Sequence, residues 1–201
     1  MEESLGRERY ALIIRLPREA EVRIEDAYLG LMGATKPNMG YHVTLLGPFH
    51  LVGEASLESL EVIAKVCRRW KPFRLRISGL GSFPVQRDDV HLVYLRVKKP
   101  KVVSALHSDL LETMREYIVF SEGIDDTWHG ESYTPHVTLG LDLSSEQLEE
   151  FLRIGAEEDI DESFRVSRIW LVRQEPHGPW EFLESCPLGA ISEEEERRAN
   201  R

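Results

Sequence analysis

Two stretches of this chain carry acid–base residue types at matched spacing: His42-Val43-Thr44-Leu45 recurs, letter for letter, as His136-Val137-Thr138-Leu139. Side chains alternate between the faces of a strand, so each copy turns His and Thr to one side and Val and Leu to the other. Histidine titrates near neutrality, so one imidazole can be a base while a second is an acid. Threonine hydroxyls can donate to the non-bridging oxygens of a phosphate. Two of each, facing one another, are the parts needed to move a phosphoryl group without a metal. With average composition a Thr follows a given His at the second position roughly once in 20. The chain has seven histidines, so two such hits that also agree at Val and Leu are a signal. The plainer alternative is two ordinary strands, each with a surface His and a β-branched Thr that favours strands anyway.

The elements that must hold these motifs follow from periodicity. Tyr10–Leu16 reads as a first strand closed by Pro17, and Arg18–Met32 as a weaker helix ending near Gly33. Tyr41–Leu46 is the first His-x-Thr strand. Ser56 opens a helix with Leu57, Leu60, Ile63, Ala64 and Cys67 at 3/4 spacing. Phe73, Leu75 and Ile77 alternate with polar residues as in a half-buried strand, and Gly79 to Asp89 reads as a loop. Val90–Val97 is a strongly apolar strand. Pro100 starts a long helix whose apolar row runs through Val103, Leu106, Leu110, Met114 and Ile118. Ser121–Tyr133 is a loop, Thr134–Gly140 the second His-x-Thr strand, and Ser144 with Gln147 forms a capping box for the next helix. Phe164–Val172 and Trp180–Leu183 are closing strands.

Strand, helix, His-x-Thr strand, helix, strand covers Tyr10–Ser78, and the same order covers Val90–Val172. The central histidines are 94 positions apart. This predicts one bilobal domain over 1–201: a first repeat of about 9–84, a second of about 88–188, and a charged tail over 189–201. Two related lobes with a pseudo-two-fold axis would bring one motif from each into a central cleft. Whether the terminal strands exchange lobes is left open by the spacing.

Bulk properties bound the function. The chain has 201 residues, 42% apolar and 30% charged, as in ordinary globular proteins. A net charge of -10 argues against a protein that coats nucleic acid through overall charge, though not against a local basic groove. No signal-peptide core or membrane-length apolar run is present. Cys67 and Cys186 make neither a disulfide framework nor a four-ligand zinc site. A cytoplasmic monomer that does not engage membranes is the expectation.

The paired motifs, with Gly47-Pro48-Phe49 after the first, resemble the two-histidine (2H) phosphoesterase superfamily. The closer likeness is to its bacterial LigT-like branch of 2′-5′ RNA ligases and RNA 2′,3′-cyclic phosphodiesterases. Gly79-Leu80-Gly81-Ser82-Phe83-Pro84, the strand over His91–Val97, and Trp170-Leu171-Val172-Arg173 support it. The resemblance spans Tyr10 to about Leu188. It implies an α+β, bilobal, duplicated fold, with two antiparallel sheets flanked by helices around a central cleft. It implies no metal and no cofactor. It implies substrates among RNA 3′ ends or nucleotides bearing a cyclic phosphate or a 2′-5′ linkage, without choosing among them. By the same likeness His42 and His136 are the acid–base pair, and Thr44 and Thr138 hold the phosphate. Which histidine starts as base stays open, as does the product isomer. Water outcompetes RNA ends, so hydrolysis is expected over ATP-independent ligation.

A base or ribose needs a stacking wall, and Phe49, Tyr133, Phe83 and Trp128 flank the motifs or lie in their loops. Core packing is the competing use of each. His107, on the long helix, reads as solvated or partly packed. Arg68-Arg69 with Lys71, and Lys98-Lys99 with Lys101, are short basic clusters that could meet an RNA backbone. Asp125-Asp126 reads as a turn. Two other functions compete with the phosphodiesterase: a non-catalytic nucleotide- or RNA-binding module using the same cleft, and a metal-dependent hydrolase built on His129, Glu131 and His136.

Overall fold

The computed structural model describes residues 7–52, 56–85, 90–121, 129–158 and 160–189. The chain runs β1 (Arg9–Arg15), α1 (Arg18–Tyr28), β2 (His42–Leu51), α2 (Ser56–Arg69), β3 (Phe73–Val85) and β4 (Val90–Lys98). It continues α3 (Lys101–Met114), β5 (Ile118–Phe120), a 3-10 turn at Gly130–Ser132, β6 (His136–Ser144) and α4 (Ser145–Gly155). It closes with β7 (Asp161–Val166), β8 (Arg168–Gln174) and β9 (Trp180–Pro187).

Among the described residues all the sheet pairing is antiparallel, in the order β7-β3-β4-β6-β2-β1-β8-β9, with β5 also on β2. The two expected sheets are therefore halves of one curled nine-stranded sheet. They meet where β2 pairs with β6, and that seam is a single residue pair, Val43 with Val137. The order also answers the exchange question. The first repeat's last strand, β3, pairs with β4 and β7 of the second, while β8 returns to pair with β1.

The helices cover one face of this sheet. Val43, Leu45, Val137 and Leu139 are at most 1% exposed in a core shared with Ile24 of α1, Ile63 of α2, Leu106 of α3 and Phe151 of α4. Each such side chain contributes about 1.5–3 kcal/mol by leaving water. α1 meets α4 through a Tyr28–Phe151 stack, and α2 packs on α3. Ser144 and Gln147 form the expected reciprocal cap of α4. Cys67 and Cys186 are free, buried thiols of this core.

Several boundaries differ from expectation: α1 ends at Tyr28 rather than Met32, β2 runs on to Leu51, β6 to Ser144 and β9 to Pro187, and three further differences have a clear physical cause. β3 continues through Gly79–Val85 instead of ending at Ser78. A bulge between Ile77 and Leu80, with Gly79 at φ +74°, resets the alternation, so glycines that read as a loop belong to a bent strand. The apolar row of α3 stops at Met114, and Ile118 sits instead in β5, paired with Leu51. Phe164–Val172 is broken at Ser167 into β7 and β8, which lie in different halves of the sheet.

Candidate active site

The seam at Val43 and Val137 fixes the relation between the two motifs. In antiparallel register about that pair, His42 faces the Thr138 position and Thr44 the His136 position. The valines point into the helix-side core, so the two histidines and two threonines share the opposite, concave face. All four are half-buried.

The histidines are held alike. His42 Nδ1 donates to the Gly40 carbonyl at 2.8 Å, and His136 Nδ1 donates to the Thr134 carbonyl at 2.7 Å. A carbonyl only accepts, so in each neutral ring the proton sits on Nδ1 and the lone pair on Nε2. Burial lowers the proton affinity of both rings, and each carbonyl partly opposes this. A charge on His42 lowers the affinity of His136 further, so the pair resists double protonation. Two imidazoles that hold one proton between them more readily than two are suited to opposite roles in one reaction.

The aromatic candidates separate. Phe83 lies edge-on to His136 at 5.2 Å and stacks on Tyr94 at 4.4 Å; Tyr94 is itself 5.1 Å from His136. Gly81 makes this possible, since a Cβ there would come within 2.6 Å of the Tyr94 ring. Tyr133 does not present an open ring. It stacks on His107 at 3.8 Å, and its hydroxyl donates to the Thr44 carbonyl at 2.7 Å. Burial keeps that phenol protonated. Phe49 corrects the expectation outright: it is 0% exposed, packed against Tyr10 in the helix-side core, and cannot wall the cleft. Trp128 and Asp125-Asp126 lie outside the described residues.

His107 also differs from its reading as a solvated or partly packed residue. It is fully buried, donating from Nδ1 to the Leu45 carbonyl at 2.6 Å and accepting from the Gly130 amide at Nε2 at 3.0 Å. Tyr133 and His107 thus tie the turn before the second motif to consecutive carbonyls of the first. The spacing of His107 on a helix carried no sign of this. Tyr94 was masked by the continuous apolar run of β4, which hides its faces. Arg15 and Arg96 were likewise unmarked, although they pair directly across from His42 and His136.

Of the alternative site, His129 stacks on Phe120 at 4.0 Å, while His136 sits with Phe83 and Tyr94. Among the described residues no three His, Cys, Asp or Glu side chains converge to hold a metal ion. No described helix is long and apolar enough to cross a membrane. Of the basic clusters, Arg69 is engaged with Asp109 of α3 at 2.6 Å.

The chain is similar to known proteins along most of its length. A family model described as the 2′-5′ RNA ligase superfamily matches residues 17–178. A relative from Bacillus pumilus (strain SAFR-032), named "Putative phosphoesterase", is 28% identical over 153 residues, 74% of this chain and 79% of its own. Another from Bacillus cereus (strain B4264) is 28% identical over 178 residues, 83% of this chain and 91% of its own. Among solved structures, TT0787 of Thermus thermophilus aligns with a TM-score of 0.63 at 20% identity, covering 91% of this chain and 100% of that one. Escherichia coli LigT complexed with 3′-AMP aligns at 0.57 and 18% identity, covering 91% and 99%. These two structural likenesses show the fold.

Proposed function

Because the chain belongs to the 2′-5′ RNA ligase superfamily of two-histidine phosphoesterases, we propose that it opens 2′,3′-cyclic phosphates on RNA 3′ ends or nucleotides. The observation that carries this reading is the matched pair of imidazoles, each pinned through Nδ1 to the carbonyl two residues earlier, on strands joined at Val43 and Val137.

The cyclic phosphate carries one negative charge and is strained. Entering the concave face, it brings the counter-charge that lets one imidazole stay protonated there. The neutral histidine takes a proton from the attacking water at Nε2. The second gives its Nε2 proton to the departing ribose oxygen. Base and acid must lie on opposite sides of phosphorus for in-line displacement, and a two-fold pair of strands supplies this arrangement. Thr44 and Thr138 donate to the non-bridging oxygens, where charge grows in the transition state. Nothing in these steps requires a metal. With a 5′-hydroxyl in place of water as nucleophile, the same pair would open the ring to a phosphodiester and so join two RNA ends, but water is the more abundant nucleophile. The binding of 3′-AMP by LigT, which shares the fold, supports a nucleotide with phosphate at its ribose 3′ side as ligand.

The test is hydrolysis of a short RNA ending in a 2′,3′-cyclic phosphate, in EDTA, with His42→Ala as control. Turnover that persists in EDTA and is lost in the variant is expected. Turnover abolished by EDTA, or retained in His42→Ala, contradicts the mechanism. Binding of AMP without any turnover would leave a binding module in its place.

A further inference from the structure

The concave face extends beyond the two motifs, across β1, β8 and β9, and there it carries three arginines laid against three aromatic rings. Arg9 lies 5.9 Å from the Trp180 ring centroid, Arg15 5.0 Å from Phe182, and Arg168 6.0 Å from Trp170. Trp170 and Phe182 meet edge to face at 5.2 Å. The rings pack on Ala11, Ile13 and Val172 in a cluster separate from the helix-side core. All three rings are half-buried and all three arginines exposed.

This surface is continuous with the histidines. Arg15 pairs with His42 across β1 and β2, and Ile13 pairs with Thr44 on one side and Trp170 on the other. A cavity of about 340 Å³ opens beside Arg15, Arg168 and Trp170. The chain as a whole has 35 acidic against 25 basic residues, so cations gathered on one sheet face run against its overall charge.

We propose that the β1–β8–β9 face is a platform for single-stranded nucleic acid, which makes the substrate an oligonucleotide rather than a free mononucleotide. Bases stack on the rings and on the guanidinium planes, and the arginines meet the phosphodiesters. The strand leads away from the reactive phosphate past His42, and in this its anchored end rests on the phosphoesterase reading above. Half-buried rings reach unpaired bases, not bases stacked in a duplex.

The experiment measures binding apart from turnover. A fluorescein-labelled hexaribonucleotide is titrated by fluorescence polarisation against full-length protein carrying His136→Ala. Adding Trp180→Ala or Arg168→Gln is expected to weaken binding by about ten-fold or more. Trp180→Phe is expected to retain it. With three phosphate contacts, the logarithm of affinity falls with the logarithm of salt at a slope of about -2. In the active background the same two substitutions leave hydrolysis of cytidine 2′,3′-cyclic phosphate unchanged, with melting curves checking the fold. Equal hexamer binding by parent and variants, hexamer binding no tighter than that of a mononucleotide, or equal competition by polyglutamate overturns the platform. Failure to hydrolyse both the cyclic mononucleotide and a short RNA ending in a 2′,3′-cyclic phosphate removes the phosphoesterase reading instead, and the polarisation result still decides this proposal.

Discussion

Replacing Tyr133 by Phe removes one oxygen and leaves the ring. The lost hydroxyl donates to the Thr44 carbonyl at 2.7 Å, while the stack on His107 at 3.8 Å is kept. Deleting a buried donor costs about 1–3 kcal/mol, because its acceptor loses a partner without regaining water. For a chain of this size about 2 kcal/mol corresponds to a fall in Tm of about 4–8 °C. The bond also spans from the turn before His136 to the backbone of the first motif. Its loss therefore loosens the relation between the two motif strands, and kcat is expected to fall about ten-fold, since small misplacements of reacting groups are expensive. KM should move less, and the pH optimum not at all, because the phenol takes no part in proton transfer. Thermal unfolding and steady-state hydrolysis of a cyclic-phosphate substrate are the assays. A Tm within about 1 °C of the parent would refute the energetic argument. A lowered Tm with unchanged kcat would make the bond structural only.

Other perturbations have equally definite outcomes. His42→Ala and His136→Ala are each expected to reduce kcat by at least about 100-fold while circular dichroism stays unchanged, as for loss of a general acid or base. Burial holds His42, His107 and His136 below the ordinary histidine range. Below about pH 6.5 the unfolded chain therefore takes up protons that the folded chain refuses, and stability falls as pH drops until the native values are passed. Melts at about pH 7.5 and about pH 5.5, on either side of the ordinary histidine value, check this, and equal Tm values would contradict it. The same lowering places the optimum of kcat/KM, which reports the free enzyme, on the acid side of about pH 6.5; a pH-rate profile peaking above about pH 8 would count against the pair. Gly81→Ala drives a methyl into the Tyr94 ring and so toward His136, and activity should fall more than stability.

The motifs were legible because they are local: four residues, period two, repeated. The elements around them were legible where periodicity ran unbroken, as in α4 with its capping box. Legibility failed where a long-range partner decides the outcome. Ile118 continues the apolar spacing of α3, and only the edge of β2 draws it into a strand. Gly79 and Gly81 read as breakers, yet one makes a bulge and the other leaves room for Tyr94. Phe49 looks like a cleft residue by proximity to His42, but plain alternation puts it on the face of Val43 and Leu45, the two register shifts of β2 cancel in parity, and it enters the core. His107 lies far from either motif in sequence and touches the first only through the fold.

The exchange of β3 and β8 has a consequence for the chain as an object. Cut between β3 and β4, it would yield two fragments with one motif histidine apiece. The first would hold β1 and β2 together but leave β3 without a sheet, and the second would leave β8 and β9 without β1. Neither is a smaller enzyme. Mixed, they should regain activity with second-order kinetics, since the two motif histidines arrive on different molecules.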